Sequence, residues 1–269
     1  MPPVNTGWGD GDYTAAGDAW AHAADHVTAH ALALLGPRGG ARPRVLDVGT
    51  GSGPAALAAA RAGARVTGLD PETGLLRTAA RRARREGLAV RTRFVAGDAR
   101  ALPFVDGAFD VVLSTFGVMF APDPARCAAE LVRVCRPGGL LAVAAWTPDG
   151  VFGRIAPTVT RHLGRPRAAA SPTRWGRPEP LRAWFAPLPV TLRTRVVRVR
   201  VAYPSLEHAV TAFEDKPGPL REHRAALEAA GRWRAARGDL AALFAAHDRA
   251  TDGSLVLDVP YLRVTGRRR

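Results

Sequence analysis

The stretch from Val45 to Pro54, VLDVGTGSGP, constrains the fold more than any other: an apolar run with one internal carboxylate breaks into glycines at alternate positions, Gly49, Gly51 and Gly53. It predicts a strand, a tight turn and the start of a helix. Val45, Leu46 and Val48 suit a strand buried on both faces, whereas the glycines remove the side chains that keep a ligand off the backbone. Pro54 fits the first position of a helix running through Ala62, whose free N–H groups and dipole favour a carboxylate or phosphate above the turn. A nucleotide-like ligand is the expectation.

After that helix, Arg65 to Leu69 reads as a second strand ending at Asp70, where a carboxylate accepts hydrogen bonds from ribose hydroxyls. Nicotinamide dinucleotides and adenosyl-type ligands both satisfy this pair of features. Two others separate them: Asp47 inside the first strand, and FVAGDARALPF from Phe94 to Phe104, with Asp98 directly after a third strand. A Tyr-x-x-x-Lys pair is also missing, because Lys216, the only lysine, has Ala212 four residues before it. An NAD(P)-dependent oxidoreductase is therefore the alternative and not the first reading.

The order VLDVGTGSG, VTGLDPETG, GDARALPF, FDVVLSTFGVMF and LVRVCRPGGLLAVAAW, between Arg44 and Trp146, resembles the class I S-adenosylmethionine-dependent methyltransferases in sequence and spacing. Downstream, the chain is similar more loosely to small-molecule methyltransferases of the type 11 and ubiquinone-biosynthesis kind. The resemblance implies S-adenosyl-L-methionine as cofactor. It also implies a Rossmann-like, doubly wound α/β fold: a mostly parallel seven-stranded sheet, an antiparallel last strand inserted between the fifth and sixth, and a helical cap. Carried over by residue, it implies that Gly49 and Gly51, with Gly53 in the same turn, let the methionine part lie against the backbone, with Asp47 near its amino group. Asp70 would hold the ribose and Pro71 the adenine face; Asp98 would accept from the adenine amino group, and the Ala99 N–H would reach a ring nitrogen. Ser114 and Phe116 would border the methyl-transfer mouth. Plainer readings stand beside these: Asp47 and Asp98 as turn caps, Pro71 as the opener of the next helix.

A chain of 269 residues with 47% hydrophobic content can bury a large core around one catalytic domain. Residues 1–43 read as an N-terminal helical lid and linker, and 44–269 as the methyltransferase domain, with a cofactor-binding core over 44–146 and substrate-side helices plus the last two strands over 147–269. Within the first part, Asp12 to Leu35 predicts an amphipathic helix with Trp20, Ala24, Val27, Ala31 and Leu34 on one side, followed by the turn-rich GPRGGARP. Strand and helix then alternate: Arg44–Val48, Pro54–Ala62, Arg65–Leu69, Glu72–Glu86, Val90–Val95, Phe109–Ser114, Pro124–Val134 and Leu140–Ala145. This predicts a mostly parallel sheet covered by helices on both faces. Pro137, Gly138 and Gly139 read as the turn between the last helix and strand of that series. Further on, helices are expected over Val151–Leu163, Glu179–Trp184 and within Ser205–Arg249, with Thr191–Tyr203 and Ser254–Val264 as an antiparallel pair. By resemblance, the helical insert would cap the substrate pocket.

A net charge of +14 invites a nucleic-acid reading. Nearly all the positive charge is arginine, however, in a chain crowded with alanine, glycine and proline, which points to the gene's nucleotide composition and not to a basic groove. Arg77, Arg81, Arg82, Arg84 and Arg85 read as a solvated helix face, and Arg267 to Arg269 as a frayed tail. After the fourth strand, STFGVMF stands where nucleic-acid amino-methylating relatives of this family carry an Asn/Asp-Pro-Pro-aromatic signature, and no Pro-Cys pair of the cytosine type appears. The expected partner is thus a small-molecule acceptor methylated on O, N or C, with an RNA-binding or RNA-modifying methyltransferase as a further alternative. No membrane contact is expected, since no run of eighteen apolar residues exists, and the chain should be a monomer or homodimer. The opening MPPVNTGWGDGDY shows neither a charged leader nor an apolar core, so a cytoplasmic location is expected.

Methyl transfer asks chiefly for in-line approach of a nucleophile, so the sequence identifies a cofactor better than a catalyst. Where the acceptor carries a proton, candidate bases are Tyr13, His162, His208 and His223. Arg174 and Trp175 are candidates for orienting an acidic or aromatic acceptor. His22, His26 and His30 recur at four-residue spacing on one helix flank, a pattern able to hold zinc. They lie among alanines without an evident fourth ligand, so a solvated flank and no metal are expected. Cys127 and Cys135, the only cysteines, read as small core residues.

Overall fold

Val45, Leu46 and Val48 have no exposed surface because β1 (Arg44–Val48) lies between β2 (Arg65–Asp70) and β4 (Phe109–Thr115), parallel to both. The computed structural model describes residues 20–36, 40–164, 171–215 and 218–269. With β3 (Thr92–Ala96), β5 (Cys135–Trp146), β6 (Val190–Tyr203) and β7 (Leu255–Arg268), these strands form one seven-stranded sheet of order β3-β2-β1-β4-β5-β7-β6. β1 to β5 pair in parallel, and β7 runs antiparallel to both β5 and β6. The fold is the expected Rossmann-like arrangement. Its strand order reverses between β1 and β4, the point at which open α/β sheets leave a crevice beyond their carboxyl ends.

Ten α-helices accompany the strands among the described residues: α1 (Ala21–Leu35), α2 (Pro54–Arg61), α3 (Thr73–Arg85), α4 (Pro124–Val134), α5 (Val151–Thr160), α6 (Pro178–Phe185), α7 (Leu206–Asp215), α8 (Pro219–Glu222), α9 (Arg224–Ala229) and α10 (Trp233–Ala245). α1 packs on α2, β4 and β5 through Ala23, Ala24, Val27, Thr28 and Ala31. Leu34, expected on that same side, is 42% exposed, and residues 12–19 of the expected helix lie outside the described residues. Four of the five clustered arginines on α3 are exposed, and Arg82 is half-buried. Both cysteines are fully buried, which pushes each thiol up to about 12. Among the described residues no helix is long and apolar enough to cross a membrane.

Two expectations need correction. The Pro137-Gly138-Gly139 segment does not separate helix from strand: α4 runs straight into β5 at Cys135, and the segment forms a register shift against β4 between Phe109 and Val111. Nor is Arg267 to Arg269 a frayed tail. Arg267 and Arg268 are paired within β7, the Arg267 guanidinium donates to Gly138 O (3.0 Å) and Leu34 O (2.9 Å), and Arg268 donates to Arg133 O and Cys135 O. Backbone carbonyls where α4 gives way to β5 have lone pairs to offer a cation, and the far end of the chain delivers it.

Candidate functional site

At the sheet's switch point a cavity of about 690 Å³ opens, lined by the carboxyl ends of β1 to β4, the turns that follow them and the start of α1. The glycine turn shapes its floor. Gly49, Gly51 and Gly53 adopt φ of 68°, 55° and 91°, a region closed to most side chains. The Gly49 and Thr50 N–H groups donate to Leu69 O at 2.8 and 3.0 Å, tying the turn to β2. Gly51 lines the cavity with open space where a Cβ would stand. Gly53 lies behind it: a Cβ there would meet Ala79 Cβ at 3.0 Å, so this glycine serves the packing of α2 on α3.

Two buried carboxylates stand over that floor. Asp47 is 1% exposed and accepts from Thr50 Oγ1 at 2.7 Å. Burial, reinforced by the charge of Asp70, pushes its carboxyl up to about 7 against the opposing hydrogen bonds of Thr50 and the Ala56 N–H. Asp70 accepts from the N–H groups of Gly51 and Glu72, both at 2.9 Å, and burial raises it to about 6. Each folded-state value lies above the ordinary 3.8, so the stability these groups contribute is full below about pH 4 and is lost as pH rises through their folded values. Calorimetric scans of the unliganded protein should therefore show Asp47→Asn gaining thermal stability relative to the parent as pH rises from about 4 to about 7. A difference independent of pH would contradict the assignment.

Asp98, Ala99 and Pro71 also line the cavity. Asp98 is not a free acceptor. Arg100 pairs with it at 2.6 Å through Nη2 and adds its backbone N–H at 2.8 Å, which holds the Asp98 carboxyl below the usual range. Arg100 also lines the cavity, and the sequence reading passed over it.

Phe116 borders the cavity with φ of 57°, unusual for an aromatic residue. Its N–H donates to Ala144 O at 2.9 Å, and its ring stacks on Trp146 at 3.6 Å and 9°. The left-handed backbone costs about 1–2 kcal/mol, which an aromatic pair worth about 0.5–1.5 kcal/mol largely offsets. Ser114 does not border the mouth. It is fully buried, donating to Val48 O at 2.6 Å and accepting from the Val118 N–H at 2.9 Å, so it bolts the end of β1 to the turn after β4. Gly117, another residue missed from sequence, permits that closeness: a Cβ there would lie 2.5 Å from Gly49 O.

None of the described histidines lines the cavity. His162 pairs with Asp239 at 2.5 Å, His208 lies beside the Tyr203 ring, and His223 sits between α8 and α9; Tyr13 lies outside the described residues. The helices expected to cap the pocket pack instead on α5 and the β6–β7 half of the sheet, where Phe152, Phe213 and Phe244 form an aromatic chain. Trp175 is 1% exposed and packs on Trp184 and Phe185, while exposed Arg174 lies over the Trp184 ring. Neither reaches the cavity. His22 and His26 are exposed on α1, and burial together with Arg263 and Arg195 holds half-buried His30 below its ordinary value. The described residues form no cluster of three or more groups suited to a metal.

A family profile described as a methyltransferase domain matches residues 46–143. An uncharacterized protein of Mycobacterium tuberculosis is 42% identical over 173 residues, which are 63% of this chain and 60% of that protein. A demethylmenaquinone methyltransferase of Renibacterium salmoninarum is 38% identical over 148 residues, 52% of this chain and 60% of that enzyme. The chain thus spans about three fifths of the length of these curated relatives. The solved structure of the YcgJ protein from Bacillus subtilis shares the fold, with a TM-score of 0.60 at 18% identity over 91% of this chain and 98% of that one. The matched segment holds the glycine turn, Asp70, Asp98 and the whole of β4, and over these residues the chain carries a methyltransferase domain.

Proposed function

We propose that the cavity binds S-adenosyl-L-methionine and that the chain directs its methyl group to a small-molecule acceptor. The charge of the lining carries this reading. Among the described residues the cavity presents Asp47, Asp70, Glu72 and Asp98 against one cation, Arg100, which is already paired with Asp98. A dinucleotide pyrophosphate or a nucleic-acid backbone would meet like charge there, whereas a ligand bearing an ammonium, a sulfonium and ribose hydroxyls meets its complement. The volume of about 690 Å³ is within the range of small-molecule sites.

In this reading, the backbone at Gly49 and Gly51 faces the amino-acid end of the ligand, Asp47 its ammonium and Asp70 its ribose hydroxyls. Pro71, Asp98 and Ala99 flank the nucleobase. When bound, the cofactor supplies an electrophilic methyl group. The protein's part is to exclude water and hold the acceptor in line, and Trp20, Ala24, Phe116, Val118 and Phe120 give the cavity an apolar side for that. The demethylmenaquinone methyltransferase among the relatives supports an acceptor that is a small molecule. Incubation of the protein with S-adenosylmethionine and a panel of apolar phenols, quinols and amines, read by mass spectrometry, tests the proposal. A gain of one methylene unit on an acceptor, dependent on the protein, is the expected result; transfer to RNA alone would contradict it.

A further inference from the structure

Arg126, Glu130 and Arg133 fall at helical spacing on one side of α4, and all three reach the segment that follows Asp98. Arg126 Nε donates to Arg100 O at 3.0 Å. Glu130 Oε2 accepts from the Leu102 N–H at 2.7 Å. Arg133 donates to Leu102 O at 3.0 Å, to Phe104 O at 2.7 Å and to Asp106 Oδ1 at 2.8 Å, and it is held in place by two bonds to Glu130 at 2.7 and 2.8 Å. Glu130 is only 6% exposed, and the neighbouring guanidinium holds its carboxyl below the usual range.

Besides these bonds, the segment is held by its apolar side chains: Leu102 is buried in the core, and Phe104 packs edge-on against Phe109 at 5.0 Å. Its backbone bonds, Ala101 N–H to Asp98 O and Phe104 N–H to Leu102 O, are internal and do not tie it to the sheet. Yet Asp98, Ala99, Arg100 and Ala101 form one wall of the cavity, while Arg126, Glu130 and Arg133 do not line it. Charge-assisted bonds to backbone are about twice as strong as neutral ones and fix direction as well as distance. Arg133, bound to two carbonyls and two carboxylates at once, fixes the chain just beyond the wall, and Arg126 reaches the wall itself at Arg100 O.

We propose that Arg126, Glu130 and Arg133 are positioning residues, and that α4 clamps the wall against which the nucleobase end of the cofactor rests. Affinity for the adenosyl part then depends on side chains that never touch it. This inference rests on the cofactor reading given above.

The test is calorimetric titration of the full chain with S-adenosylhomocysteine and with adenosine, paired with hydrogen exchange of the unliganded protein. Glu130→Ala and Arg133→Ala should each weaken both ligands by the same factor, about ten-fold or more, with faster exchange confined to residues 100–106. Glu130→Gln keeps an oxygen for the Leu102 N–H and should recover affinity to within about three-fold of the parent. A role in general stability would give no such shared factor and no such recovery. Arg126 is exposed, so Arg126→Ala remains folded and should weaken both ligands by about three-fold even if the buried variants do not fold. Parent-like affinity in folded Arg126→Ala and Glu130→Ala would overturn the clamp and leave the cofactor reading intact. A parent protein that binds neither ligand would remove the cofactor reading, and the clamp with it.

Discussion

Gly117→Ala is expected to destabilise the protein by about 3 kcal/mol or more and to abolish cofactor binding. The added Cβ would stand 2.5 Å from Gly49 O, 2.8 Å from Gly49 Cα and 2.9 Å from Val48 O. All three are backbone atoms at the end of a strand with neighbours on both sides, so none can rotate away as a side chain would. Gly51→Ala gives the contrast. Nothing lies within 4 Å of its Cβ position, so the cost is limited to the left-handed backbone, about 1–2 kcal/mol, and the protein should fold. The new methyl group nevertheless projects into cavity space, and binding of S-adenosylhomocysteine should fall by more than about ten-fold. Denaturant melts and calorimetric titrations of both variants check the pair. Parent-like stability in Gly117→Ala would show that the two turns are not in contact.

Asp70→Ala is expected to weaken S-adenosylmethionine by roughly ten- to hundred-fold, the loss of about 1.5–3 kcal/mol from charge-assisted hydrogen bonds. The carboxylate has two tasks here. It accepts the Gly51 and Glu72 N–H groups at 2.9 Å, which sets the turn, and it lines the cavity with acceptor capacity to spare. Asp70→Asn keeps one acceptor oxygen for the turn but loses the charge, so it should fall between the parent and Asp70→Ala. A folded Asp70→Ala with parent affinity would mean that the ribose does not sit there.

The turn, β1, β2 and the alternation through β5 were legible because each is written locally. Gly49 and Gly51 dictate backbone, Pro54 opens a helix, and Val45, Leu46 and Val48 need burial wherever they go. What escaped was written across the chain. Ser114 reads locally as a polar residue at a strand end, and only contact with Val48, 66 residues away, turns it into a bolt instead of a rim residue. Gly117 shows no signal beside Phe116 until Gly49 approaches it. Three terminal arginines suggest a solvated tail by composition, yet the carbonyls of Arg133 and Cys135 accept from Arg268 and hold it within the sheet. Asp98 was read without Arg100 because spacing by two residues does not reveal which way a guanidinium folds. The histidines were drawn toward the pocket only by the expectation that the later helices cap it, and those helices cover the other half of the sheet.

The most direct test of the central claim is calorimetric titration of the protein with S-adenosylmethionine and S-adenosylhomocysteine, with NAD and NADP as parallel ligands at the same pH. Below about pH 7 an ammonium near Asp47 favours its carboxylate form, so binding should release protons and strengthen as pH rises toward 7. The account predicts micromolar binding of the two adenosyl ligands with that proton release, and none of either dinucleotide. Binding of a nicotinamide dinucleotide without the adenosyl pair would contradict it.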